Sequence, residues 1–253
     1  MHRFFIPPDL LKINATLHIL PEKLSHQVKD VLHLAIGEQL ILLDNSGDEI
    51  LCSIVKSGRS GVEVELLERR TGKSESLIRI VLCQGLLKSA RFEWILEKGT
   101  ELGVAVFSPV LCRRSMSGLE DAGPNKIQRW QRIIQEATEQ CGRARMPELL
   151  PIRSLLHALT HMPSGALALI PWEEEQGLSL RDALRNAIAE RKAPGGSEPL
   201  TVVLFIGPEG GVLAEEVELA RSHNVQAVTL GPRILRAETA ALTSVANVMY
   251  ELS

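Results

Sequence analysis

Between residues 201 and 252 the chain twice runs from a buried apolar strand, through a glycine-proline loop, into a helix. Residues 201–206 are apolar on both faces of an extended segment, which marks a strand covered on both sides. They lead into Ile206-Gly207-Pro208-Glu209-Gly210-Gly211 and then a helical pattern over 212–224. A second strand over 226–230 leads into Leu230-Gly231-Pro232-Arg233-Ile234-Leu235-Arg236 and a closing helix over 237–252, with Ala241, Val245, Val248 and Leu252 on its inner face. Strands joined through helices pair parallel, so this half is an α/β domain built on a largely parallel sheet. Such sheets bind ligands at strand-end loops, where glycine admits close backbone approach. Gly207, Gly210 and Gly211 alone also suit a tight turn. Neither a G-x-G-x-x-G nor a G-x-x-x-x-G-K-[ST] sequence is present, which argues against a nicotinamide-dependent oxidoreductase and against a P-loop.

The α/β pattern begins with an apolar strand at 78–84 and continues with a helix over 90–102, whose Phe92, Ile95, Leu96 and Leu102 share a face and whose C-terminus Gly103 caps. A helix over 125–141 sets Ile127, Trp130, Ile134, Ala137 and Cys141 opposite Lys126, Arg129 and Arg132. A strand at 166–170 and a helix at 179–191 follow, then a flexible surface connection at 193–199. Upstream, 39–43, 49–56 and 62–67 read as short strands separated by the glycine-bearing turns 44–48 and 57–61, after a single short helix over 21–34. This predicts a small β-barrel. The polar stretch 68–76 reads as a link, which places domains at 1–72 and 73–253.

A net charge of −3 conceals a gradient, because residues 69–145 carry +6 while the flanking segments carry −4 and −5. The middle of the chain is the candidate polyanion surface, although basic residues on solvated helix faces are ordinary. The four cysteines lie about 30 residues apart without metal-ligand spacing, so neither zinc nor a disulfide framework is expected. No apolar run is long enough for a bilayer span and the N-terminus lacks a signal-peptide core, so a cytoplasmic location without membrane contact is expected.

The two loops resemble the SPOUT class of S-adenosylmethionine-dependent RNA methyltransferases, specifically the bacterial family that methylates N-3 of a uridine in small-subunit ribosomal RNA. The resemblance spans nearly the whole chain. It takes in Met1-His2-Arg3-Phe4-Phe5, residues 88–103, Trp130 through the run Glu136-Ala137-Thr138-Glu139-Gln140-Cys141-Gly142-Arg143, Gly207–Gly211, and Leu230-Gly231 through Arg236-Ala237-Glu238-Thr239-Ala240. It implies a deep C-terminal trefoil knot around the parallel sheet, a PUA-like RNA-binding barrel at the N-terminus, and a homodimer.

The resemblance further implies that S-adenosylmethionine lies against Ile170, Pro171, Ile206, Gly207, Pro208, Glu209, Gly210, Gly211, Leu230, Gly231, Ile234, Leu235, Arg236, Thr239 and Ala240. Trp172 either flanks the cofactor or packs into the core. Uridine N-3 must lose its proton to attack the methyl group, which a base or a stabilised uracil anion eases. Arg143, permanently charged, is the candidate stabiliser and Glu238 the candidate proton acceptor, with Glu209 and Glu139 as alternatives. Arg3, Lys88, Arg91, Arg113, Arg114, Arg129, Arg132 and Arg145 are the candidate RNA contacts. The expected partner is small-subunit ribosomal RNA, in an assembled subunit; a non-catalytic RNA-binding assembly factor is the alternative.

Overall fold

The computed structural model describes residues 1–11, 16–115, 123–191 and 200–252; the 193–199 connection lies outside the described residues. The chain divides into two compact units, one of residues 1–75 with 138–146, the other of 76–137 with 147–253.

The first unit is a five-stranded sheet of β1 (His2–Phe5), β2 (Leu17–Ile19), β3 (Gln39–Leu43), β4 (Asp48–Gly58) and β5 (Gly61–Thr71), in the order β1-β3-β4-β5-β2. Its organising strand is β3, an unbroken Leu40-Ile41-Leu42-Leu43 run. Leu40 and Leu42 enter the main core with Phe4, Val28, Ile54 and Val64. Ile41 and Leu43 pack on the other face against Ala144. The returning segment 138–146 therefore covers the second face of β3, which explains why the strand does not alternate with polar residues.

Two expectations are corrected here. The polar stretch 68–76 is strand as far as Thr71, because Arg69 and Arg70 lie across from acidic residues of the preceding hairpin arm: Arg69 pairs with Asp44 and Asp48 and Arg70 with Glu49. The single helix over 21–34 is a short α1 (Glu22–His26) that widens into a π-helical turn at Gln27–Val31 and stops at His33, whose φ is +52°.

The second unit holds a seven-stranded sheet in which every pairing is parallel. Its strands are β6 (Arg79–Gly85), β7 (Val104–Leu111), β8 (Glu148–Leu149), β9 (Arg153–Ser154), β10 (Leu167–Pro171), β11 (Thr201–Ile206) and β12 (Gln226–Val228), ordered β12-β10-β11-β6-β7-β8 with β9 also on β7. The helices are α2 (Ser89–Glu101), α3 (Pro124–Cys141), α4 (Leu155–Thr160), α5 (Leu180–Arg191), α6 (Ala214–Ser222) and α7 (Ala237–Leu252). One sheet face packs Val81, Cys83, Val203 and Phe205 against Leu155 and Leu159 of α4 and Val217 and Ala220 of α6. Helix α7 packs on α2, α5, β6 and β11. Phe92 of α2 meets Trp130 of α3 with ring centroids 4.5 Å apart. Strand β7 and the short β8, β9 and α4 were not foreseen from periodicity, being brief or lacking a contrast of polar and apolar positions.

Candidate functional site

The order β12-β10-β11 sets the carboxyl ends of three neighbouring strands side by side. The loops leaving those ends, 171–176, 206–212 and 229–240, line one cavity of about 880 Å³ in the second unit. That volume is of the size that holds a nucleotide-sized ligand.

Of the fifteen cofactor candidates, residues 206–211, 230–231 and 234–236 line the cavity together with Pro171 and Ala240. Ile170 and Thr239 do not line it: Ile170 is buried in the sheet core and Thr239 is exposed on the first turn of α7. Arg91, Trp172, Glu173, Glu175 and Arg233 also form the wall. Ile234, an apolar side chain, is 83% exposed there.

Close packing fixes the 207–211 loop. A Cβ at Gly207 would stand 2.6 Å from Val212 Cγ2, and one at Gly210 would stand 2.9 Å from Arg114 Cβ. Gly211 has φ of +74° and its N–H donates to the Pro208 carbonyl at 2.9 Å, so the loop closes through a left-handed residue that favours glycine. Gly231 has φ of +111° with nothing within 4 Å of a modest Cβ, so a side chain there would project into open volume.

The other loops are braced as well. Glu175 accepts the Gly177 N–H at 2.8 Å and pairs with Arg221 at 2.9 Å; the Gly177 N–H above all holds its carboxyl below the usual carboxylate range. Arg221 in turn lies over the Trp172 ring, 5.7 Å from its centroid. Trp172 packs against the core cluster and also lines the cavity.

Acidic and basic groups meet at one edge. Glu209 accepts the Lys88 N–H at 3.2 Å, and Arg91 lies 3.7 Å from both Glu209 and Glu238. The Glu238 side chain is 12% exposed, and its Oε2 is buried without a partner among the described residues. A buried carboxylate oxygen with no donor is costly unless something else uses it.

The arginines sort by environment. Arg113 and Arg114 brace the 210–216 segment: Arg113 Nη1 donates to Glu215 at 2.7 Å, and Arg114 Nη1 to the Gly210 carbonyl at 2.9 Å. Arg129 makes a two-pronged pair with Glu93, at 2.7 and 2.8 Å, while Lys88 and Arg132 are exposed. Arg3, Arg143, Arg145 and Glu139 belong to the first unit. There Arg3 lies 3.5 Å from Glu49, Arg145 is exposed, and Glu139 accepts the Phe5 N–H at 3.0 Å. Arg143 is 6% exposed and donates Nη2 to Glu75 at 2.9 Å and Nε to the same carboxylate at 3.3 Å.

Sequence reasoning missed Gln84, Glu75 and Glu175. All three act on backbone or charged groups far away in sequence or across a turn, and no local motif marks them. No described helix is long and apolar enough to cross a membrane, and no cluster of metal-ligating side chains occurs among the described residues.

Comparison with known proteins agrees with this arrangement. Residues 73–249 match the model of the RNA methyltransferase domain family. The chain is 32% identical to the ribosomal RNA small subunit methyltransferase E of Bacillus subtilis, over 99% of this chain and 97% of that protein. It is 30% identical to the protein of the same name from Synechocystis, over 98% of this chain and 77% of that protein. Among solved structures, ribosomal RNA small subunit methyltransferase E from Neisseria gonorrhoeae bound to S-adenosyl methionine superposes with a TM-score of 0.83 at 30% identity, covering 99% of this chain and 97% of that one. A methyltransferase from Legionella pneumophila in complex with the same cofactor gives 0.78 at 28% identity, covering 98% and 96%. With a family model matched over most of its length and whole-length relatives at this identity, the chain belongs to the RNA methyltransferase family.

Proposed function

We propose that the chain is an S-adenosylmethionine-dependent methyltransferase of small-subunit 16S ribosomal RNA, acting on N-3 of a uridine. The observation that carries this is the convergence of three strand-end loops on one cavity, in a chain whose whole-length relatives include two solved with S-adenosylmethionine. The residues suit that molecule: Ile206, Leu230, Ile234 and Leu235 offer apolar surface for adenine, and carboxylates and guanidiniums in the same wall match an amino-acid zwitterion. When bound, the cofactor supplies an electrophilic methyl group. What remains for the protein is to orient that group and to ease the loss of the uracil N-3 proton.

Glu238 is the proposed proton acceptor, because its unpartnered Oε2 lies beside the cavity loops and Arg91 neighbours its other oxygen. Arg143, oriented by Glu75, is proposed to place a fixed positive charge opposite the developing uracil anion. Lys88, Arg132 and Arg145 are proposed phosphate contacts on exposed side chains; Arg3, Arg91, Arg113, Arg114 and Arg129, proposed contacts as well, carry carboxylate or loop contacts that an RNA phosphate would share.

The finer expectations join the proposal. The path from edge strand β12 back to α7, which packs over β6 and β11, supports a threaded C-terminus. The first unit is proposed to be a PUA-like RNA-binding domain, and the working form a cytoplasmic homodimer acting on the assembled subunit. Calorimetric titration with S-adenosylmethionine tests the cavity. Gly211→Val forces a β-branched residue to φ of +74°, with its Cβ only at ordinary contact distance from the side chains of Arg114 (3.8 Å) and Glu173 (4.0 Å), and is expected to raise the Kd at least tenfold in a folded protein. Unchanged affinity would move the cofactor elsewhere.

A further inference from the structure

We propose that Gln84 is a positioning residue for the cofactor loop, holding the Gly207–Pro208 peptide by its carbonyl; the inference rests on the cavity being the cofactor site. Gln84 stands at the carboxyl end of β6, in register with Ile206 of β11, and is 1% exposed. Its Nε2 donates to the Gly85 carbonyl at 2.9 Å and to the Gly207 carbonyl at 3.3 Å. Both neighbours at that end are acceptors, so the amide nitrogen must face them and Oε1 must point away. Oε1 is buried with no partner among the described residues.

Contact continues at the next residue, where a Cβ on Gly85 would stand 2.5 Å from Pro208 N and 2.8 Å from the Gly207 carbonyl carbon. The end of β6 and the start of the loop therefore touch backbone to backbone. Pro208 has no N–H, so the Gly207 carbonyl is the one hydrogen-bonding group of that peptide bond. Whatever binds this carbonyl sets the plane of the peptide and the direction in which residues 208–211 leave the strand.

An unpaired buried oxygen works against stability, so an amide at this position is explained by what its nitrogen holds, the carbonyls of Gly85 and Gly207. A local rule broken next to a functional loop is where such costs are expected.

Gln84→Met is the test, read by calorimetry with S-adenosylmethionine, by urea unfolding, and by steady-state methyl transfer. The expected result is a folded protein of somewhat lower stability, because the Gly85 and Gly207 carbonyls lose their donor, a Kd and KM for S-adenosylmethionine raised about tenfold, as for one lost hydrogen bond to a positioned group, and an unchanged KM for RNA. Gln84→Leu repeats the test should methionine fail to pack. Ile234→Asp, on the exposed cavity wall, is measured alongside. Weakened binding in Ile234→Asp with unchanged binding in the Gln84 variants overturns the role of Gln84 and leaves the cavity standing. Unchanged binding in both overturns the cavity and the proposal with it. Weakened binding of S-adenosylmethionine together with an equally raised KM for RNA in the Gln84 variants would mean that Gln84 serves the fold and not the loop.

Discussion

Removing the Glu75 carboxylate should loosen the 142–146 segment of the first unit more than any other single truncation there. One carboxylate receives four N–H groups: Arg143 Nη2 at 2.9 Å and Nε at 3.3 Å, and the backbone N–H groups of Ala144 and Arg145, both at 3.1 Å. Arg143 is 6% exposed, so Glu75→Ala leaves a buried guanidinium without its main counter-charge. Breaking such a pair from one side costs roughly 3–5 kcal/mol. The Glu75 side chain is 23% exposed, so water takes over part of the loss, and about 2–4 kcal/mol is expected. Against a typical total of about 5–15 kcal/mol that is a large share. Glu75→Gln keeps one carbonyl acceptor for the backbone and should cost about half as much. Two readouts check this: urea unfolding of the whole chain, and hydrogen exchange at the amides of Ala144 and Arg145, which should lose protection in the variants. A double-mutant cycle with Arg143→Ala should show coupling of at least about 1 kcal/mol. A Glu75→Ala variant within about 0.5 kcal/mol of the parent, with exchange at both amides unchanged, would refute the account.

Arg143→Ala itself should abolish methyl transfer while leaving S-adenosylmethionine affinity nearly intact; parallel loss of both would make its role structural. Gly85→Ala pushes a Cβ to 2.5 Å from the backbone of Pro208, which cannot yield as a side-chain tip would, so S-adenosylmethionine binding should fall by more than tenfold as measured by calorimetry. Burial pushes the thiols of Cys52 and Cys83 up to about 12, so at pH 8 only about one molecule in ten thousand carries either thiolate. Iodoacetamide followed by mass spectrometry should leave both unmodified in the folded protein and modify them in urea.

The parts of the fold that were legible are those whose signal is local. The 201–206 run, the glycine loops and the inward faces of α2 and α7 are each written within a few turns of chain. The same holds for the cavity, because loops at the ends of adjacent parallel strands must converge once the strand order is set. The order itself was not legible, since pairing partners lie far apart in sequence. That is why the double coverage of β3 had no visible cause until Ala144 was placed against Ile41 and Leu43. Glu75 and Gln84 were hidden for the same reason: a glutamate in a polar stretch and a glutamine at a strand end are unremarkable until the groups they bind, Arg143 and the Gly207 carbonyl, are brought to them. Arg129 shows the converse, because helical spacing placed it on a solvated basic face and the two-pronged pair with Glu93 of α2 came only with the tertiary structure.

The measurement that bears most directly on the central claim is methyl transfer from labelled S-adenosylmethionine to unmodified small ribosomal subunits and to naked 16S ribosomal RNA, with the labelled nucleoside identified by mass spectrometry. The account predicts N-3-methyluridine as the only labelled product, formed on the assembled subunit. Label on another nucleoside, or no label on either substrate from protein that binds the cofactor, would contradict it.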